Sequence, residues 1–222
     1  MSRDPLRAYA QPVLLATYCI NLLTLRNTMQ KLTRDKLYSL EKYDAMRREF
    51  RDRVMAHKEN RRLPIGPNAT LYFEDALTMQ YQVQEMLRIE RIFEADAIQE
   101  ELDAYNPLIP DSSNWKATFM LEYGDETERR RQLAKMMGIE KRVWLRIGDG
   151  ARITPIADED LERTEEDKTS SVHFLRFELT ADMIAALRRG APLAAGIAHP
   201  AYTHTVDPVP ENIRQALLAD LD

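Results

Sequence analysis

The hydrophobic and polar positions of this chain change period several times, and each change marks an element. Thr33 is placed to cap a short helix through Leu40. Glu41 to Asn60 reads as a longer helix, because Tyr43, Met46, Phe50 and Val54 recur at helical spacing. Arg62–Ile65 and Thr70–Glu74 read as short strands around the turn residues Gly66, Pro67 and Asn68. Asp75 opens a helix to about Phe93, and a second runs from Asp96 to Tyr105. That second helix stops at Asn106-Pro107, since proline disfavours helical geometry in the residue before it. In Trp115–Tyr123 the apolar residues Trp115, Ala117, Phe119 and Leu121 alternate with Lys116, Thr118 and Glu122, the mark of a half-buried strand. Asp125–Met137 reads as a helix closed by Gly138.

Val143–Ile147 and Arg152–Ile156 flank Gly148-Asp149-Gly150 and predict a hairpin. The acidic stretch Asp158–Lys168 predicts a solvated helix or loop. A strand over Ser171–Leu179, a helix over Thr180–Arg189 and a strand over Leu193–His199 follow. Pro208 and Pro210 precede a terminal helix over Glu211–Leu221. A hairpin among intermixed helices predicts a single α+β domain, with helices packed on a mixed or mainly antiparallel sheet. The expected domain spans residues 29–206, and 207–222 form a carboxy-terminal tail with a short helix.

Residues 1–28 stand apart. Arg3 and Arg7 precede a mostly apolar stretch, Val13 to Leu25, that Thr17, Asn21 and Thr24 interrupt. It lacks a small-residue cleavage signal and is shorter than the roughly 20 apolar residues of a membrane span. An extension outside the core, ahead of a second start at Met29, is the leading expectation; a short docked helix and a secretion signal are the rivals.

Composition narrows the classes. The chain is 44% hydrophobic and 30% charged, the balance of a folded protein. With 31 basic and 36 acidic residues its net charge of −5 argues against nucleic acid and anionic membranes as partners. Cys19 is the single cysteine, which excludes an internal disulfide and cysteine-rich metal sites and fits a reducing, cytoplasmic compartment. The seven glycines assemble neither G-x-x-x-x-G-K nor G-x-G-x-x-G.

Candidate chemistry rests on ionisable residues at positions patterned as core. His57 follows the apolar face of its helix. His173 shares a strand face with Leu175, Phe177 and Leu179, and His199 shares one with Leu193, Ala195 and Ile197. His204, between two threonines, is expected in solvent. Glu90 falls within the stripe Met79, Val83, Met86 and Phe93, where a carboxylate needs a cation, a metal or a proton. If the strands of His173 and His199 pair antiparallel, the two imidazoles become neighbours. With Glu90 they would then form a two-histidine, one-carboxylate site for iron or zinc, His57 being a fourth ligand or a neighbour of the ligands. The competing expectation is structural: each histidine hydrogen-bonded at the rim of an apolar face, and Glu90 paired with Arg51, Arg88 or Arg176. No H-E-x-x-H, E-x-x-H or G-x-S-x-G is present.

Several runs carry a resemblance. They are Lys31-Leu32-Thr33, Tyr81 through Phe93, Ile98 through Pro110, Val172 through Leu179, and His199-Pro200-Ala201-Tyr202. Over about residues 30–206 the chain resembles a bacterial family called domain of unknown function 3501, for which no catalytic residues are assigned. The genes of that family resemble frequent neighbours of genes for rubrerythrin-like and heterodisulfide-reductase-like iron–sulfur proteins. The resemblance implies a link to a redox or oxidative-stress system, and the absence of any complete catalytic motif favours a non-catalytic accessory or binding partner of such a system. A metal-dependent enzyme or metal carrier is the alternative.

Overall fold

A computed structural model describes residues 31–159 and 167–222. Among them are six α-helices and eight strands: α1 (Leu40–Glu59), β1 (Arg62–Pro64), β2 (Ala69–Phe73), α2 (Ala76–Glu90), α3 (Ala95–Tyr105), β3 (Asn114–Leu121), α4 (Glu126–Lys135), β4 (Val143–Ile147), β5 (Ile156–Ala157), β6 (Val172–Glu178), α5 (Ala181–Arg188), β7 (Leu193–His199), β8 (Tyr202–Val206) and α6 (Glu211–Leu218). The extension assigned to residues 1–28, with Cys19, lies outside the described residues, as does most of the acidic stretch after Asp158. No helix of the described residues is long and apolar enough to cross a membrane.

All strand pairings are antiparallel, in two sheets of order β1-β2-β3-β6-β5 and β4-β7-β8. The fold is α+β, as the pattern of elements requires. Leu71, Phe73, Trp115, Phe119, Leu175 and Phe177 of the larger sheet share one apolar core with Val143, Leu145, Leu193 and Ile197 of the smaller. Strand alternation produces this, since every second residue points the same way. A second core joins Ala76, Met79, Val83 and Leu87 of α2 to Leu102 of α3, and a third packs Tyr43, Phe50 and Val54 of α1 beside Leu77 and Tyr81.

Side chains set the helix starts. Ser39, Asp75, Asp125 and Thr180 each accept a bond from the backbone N–H three residues on, which satisfies a donor left over at the first turn. Thr33 makes no such cap, and only a 3-10 turn over Arg34–Lys36 forms where a helix to Leu40 was expected.

Three further expectations are corrected. The Gly148-Asp149-Gly150 hairpin closes through a single bridge, Leu145 to Ile153. Pro155 lacks an N–H to continue that ladder, and Ile156–Ala157 pair with β6 in the other sheet instead. The segment after His199 contains an unforeseen strand, β8, paired antiparallel with β7. Residues 207–222, read as a tail, belong to the core: Ile213, Leu217 and Leu221 are buried, and Trp115 Nε1 donates to Leu217 O at 2.9 Å.

Candidate functional site

The four residues singled out for metal binding take separate positions. β6 lies between β3 and β5, whereas β7 lies between β4 and β8 in the other sheet. Each strand already has two neighbours, so the expected pairing of His173 with His199 does not form. Glu90 is exposed at the last residue of α2. The buried stripe of that helix runs Ala76, Met79, Val83, Leu87. Arg91 then turns left-handed, with φ 56°, and takes Phe93 out of the helical frame, so Phe93 is 65% exposed. A stripe drawn through Phe93 therefore misplaces Glu90. Among the described residues, no group of three or more His, Cys, Asp or Glu could hold a metal ion.

His199 and His173 are both saturated. His199 Nδ1 accepts from Ala201 N at 3.1 Å, which leaves the proton on Nε2, 3.2 Å from the Met137 carbonyl oxygen. Neither nitrogen retains a lone pair for a metal in that arrangement. His173 is fully buried: Nδ1 lies 2.6 Å from Asp158 Oδ2, and Nε2 lies 2.9 Å from Thr169 Oγ1 and 3.1 Å from Ser170 O. Carboxylate at one ring nitrogen and hydroxyl at the other repeats the connectivity of a hydrolase triad. Yet Thr169 is as closed to solvent as His173, so no substrate carbonyl reaches that hydroxyl. The ring instead ties Asp158 to Thr169 and Ser170, on either side of residues 159–168. Asp158 Oδ1 also accepts from Phe174 N at 2.9 Å. His173→Leu is expected to cost about 1–3 kcal/mol in urea denaturation, because it removes a fully buried ring together with its hydrogen bonds to Asp158 and Thr169. A loss within 0.3 kcal/mol, on the order of measurement error, would show that the tie carries no stability.

His204 packs against Tyr202, with ring centroids 4.6 Å apart, and faces Gly66, where a Cβ would meet the imidazole at 2.6 Å. It is half-buried, not free in solvent.

His57 belongs to an ionic cluster. Its Nε2 lies 2.5 Å from Asp75 Oδ2, while Asp75 Oδ1 caps α2 by accepting from Thr78 N at 2.9 Å. Arg61 Nε lies 3.3 Å from the same Oδ2, and Arg61 Nη2 donates to Asp220 Oδ2. Glu74 is buried beside them; Thr118 Oγ1 donates to its Oε1, and its Oε2 has no hydrogen-bond partner among the described residues. Burial alone would raise Asp75, but the bond from His57 and the charge of Arg61 hold it below its ordinary value. Burial pushes Asp220 up to about 6, because it outweighs a guanidinium whose charge Asp75 also draws on. This cluster joins α1, β1, α2 and the carboxy-terminal segment.

The arrangement with room for a ligand is a cleft of about 960 Å³. Residues directly opposite on paired strands share a sheet face, and Lys116 opposes Arg176 while Thr118 opposes Phe174. That face looks away from the two-sheet core. Met86 of α2, Glu101, Asp103 and Tyr105 of α3, and Pro107, Leu108 and Asp111 of the following segment complete the walls. Lys116 Nζ donates to Pro107 O at 2.6 Å. Its pKa is lowered, first by burial and then by Arg176, against the pull of Asp111. Arg176 is held by Glu159, at 2.6 and 2.7 Å, and by Glu178. A second hollow, about 640 Å³, lies between Arg34–Glu41 and the turn carrying Ile92 and Phe93. None of the candidate residues lines either one. Lys116 stood on the polar side of its strand in the sequence, a signal shared by every solvent-facing residue and so no guide to a site.

A family model described as Protein of unknown function (DUF3501) matches residues 31–221, past the boundary expected at 206. A crystal structure of a novel protein of unknown function from Burkholderia pseudomallei K96243 is similar, with TM-score 0.83 and 52% sequence identity, over 87% of this chain and 100% of that one. No curated protein matches the chain.

Proposed function

We propose, for a chain that belongs to the DUF3501 family, the role of a non-catalytic accessory protein that binds a partner in its cleft. The partner is an iron–sulfur oxidoreductase or a rubrerythrin-like protein of a bacterial redox or oxidative-stress system, met in the reducing cytoplasm. One observation supports the cleft as the seat. It combines the apolar side chains of Met86, Leu108 and Phe174 with charged ones, against a sheet face outside the main core. Partner surfaces are built from such mixtures, whereas the imidazoles a reaction would need are bound to the protein's own groups.

The test is affinity capture under reducing conditions with the untruncated protein, comparing it with Met86→Glu. The native protein is expected to retain an iron-containing oxidoreductase or rubrerythrin-like protein, and the charge placed in the cleft to reduce that capture at least about tenfold. Thermal melts of both proteins establish that each is folded. Equal capture by both would move the seat elsewhere, and failure to retain any iron protein would end the redox reading. Metal analysis of tag-free protein decides the alternative use of His173, His199, Glu90 and His57. Iron, zinc or manganese near one equivalent, instead of below about a tenth, would favour a metal-dependent enzyme or carrier.

A further inference from the structure

We infer that the cleft selects a basic segment flanked by large apolar residues on the partner protein. This inference rests on the cleft's being the partner's seat and names the chemistry recognised there.

Four carboxylates line the walls, Glu101, Asp103, Asp111 and Glu159, against two cations, Lys116 and Arg176. The two cations are already engaged within the protein. Arg176 is clamped by Glu159 and Glu178, and Lys116 reaches the Pro107 carbonyl and lies in the field of Asp111. An anionic ligand would therefore have to displace two carboxylates to reach Arg176, and a backbone carbonyl to reach Lys116.

Glu101 and Asp103 are differently placed. Neither is in an ion pair among the described residues; Asp103 accepts only from the Gln99 amide, at 2.8 Å. Both stand on the last turns of α3, which ends at Tyr105. The carboxy-terminal end of a helix carries partial negative charge, and that charge adds to theirs. One lysine of the protein already lies just past the helix, where Lys31 Nζ donates to Asn106 O at 2.9 Å and to Ile109 O at 2.7 Å. Tyr105 adds an aromatic face at the same lip, and such faces attract ammonium and guanidinium groups. Met86, Leu108 and Phe174 line the same cleft, and they suit apolar side chains and not a bare polyvalent cation. The ligand chemistry that satisfies both is a lysine or arginine on an apolar segment.

The probes are two synthetic peptides, KLLKLLK and its charge-reversed counterpart ELLELLE, titrated against the whole protein by calorimetry. KLLKLLK is expected to bind, to weaken as salt is raised, and to lose about tenfold in affinity with Glu101→Lys combined with Asp103→Lys. The control is Asp44→Lys combined with Glu49→Lys, exposed positions on α1 outside the cleft. It makes the same change of net charge and is expected to leave affinity within about twofold. Equal binding of both peptides, equal weakening by both double variants, or no binding of KLLKLLK overturns the inference. These outcomes are separable from failure of the cleft itself. If Met86→Glu abolishes partner capture while the Glu101 and Asp103 substitutions do not, the seat stands and the charge selection is wrong.

Discussion

Arg61→Leu is expected to cost about 3–5 kcal/mol of folding stability at pH 8, the usual penalty for leaving buried charge uncompensated. Arg61, Asp75 and Asp220 are each 3% exposed or less, and Glu74 is buried with them. One guanidinium reaches both aspartates. Besides the two aspartates it donates to the carbonyls of Phe73 at 3.2 Å, Ala216 at 3.3 Å and Glu74 at 3.4 Å. It thus binds the end of β2 to the last turn of α6 and to the carboxy-terminal residues. Leucine would fill much of the volume and satisfy none of the acceptors.

The loss is expected to shrink at pH 5, and the sign follows from the two aspartates. Asp220 is raised from 3.8 to about 6 in the folded state. Its contribution is therefore fully present below 3.8 and is lost as pH rises through about 6. Asp75 is lowered, so its contribution is present above 3.8 and is lost as pH falls through its folded value. Between about pH 4 and 6 Asp220 should accordingly add stability as pH falls, and acidification below that window should keep this gain while the Asp75 contribution is lost. Without Arg61 the protonated form of Asp220 is favoured further, so acid relieves part of the damage. Urea denaturation of both proteins at pH 5 and pH 8 measures this. A loss below about 1 kcal/mol, or one of equal size at both pH values, would mean that the cluster is not held by the guanidinium.

Gly196→Ala should cost about 3 kcal/mol, the upper end of the ordinary penalty for overpacking. Gly196 is central in β7, opposite Trp144 on one side and Thr205 on the other. An added Cβ would clash with Trp144 Cζ2 and would lie 2.5 Å from Cε2 and 2.9 Å from the His204 carbonyl oxygen. The backbone oxygen cannot step aside without opening the β7–β8 ladder. The indole is buried, and the Arg152 guanidinium sits 4.2 Å above its ring, so its movement also breaks that stack. A fall of about 6–12 °C in melting temperature corresponds to this cost for a domain of this size. Adding Trp144→Leu should restore part of it, giving a coupling of about 1–2 kcal/mol in the double-mutant cycle. Strict additivity of the two substitutions would show that the indole is not what the methyl group meets.

Reading the chain went furthest where one residue's neighbours in sequence are also its neighbours in space. Asp75 as a helix opener and the alternation of Trp115–Leu121 are local facts, and the structure repeats them in the Asp75–Thr78 capping box and in the buried–half-buried pattern of β3. The burial of His173 followed from the same alternation. Glu90 shows how narrow the margin is. A stripe anchored on Phe93 and one anchored on Leu87 differ by a fraction of a turn, and the left-handed Arg91 decided between them.

What touches His173 was not legible. Asp158 stands 15 residues away in the chain and meets the ring because β5 pairs with β6, while Thr169, 4 residues away, reaches the other nitrogen from the segment leading into β6. Arg61 and Asp220 are 159 residues apart, and nothing in either neighbourhood announces the other. Lys116 likewise became a cleft residue only when α3 and the segment after it came to rest beside the outer sheet face.

By itself, then, the order of residues determined the periods of the elements, most of their limits and the α+β class, because backbone geometry and local capping act within a few residues. Tertiary structure alone decided that β6 and β7 belong to different sheets, that α6 completes the core, and that the open cleft lies away from the histidines. Those outcomes depend on which apolar faces bury one another, and that choice is settled by the whole chain at once.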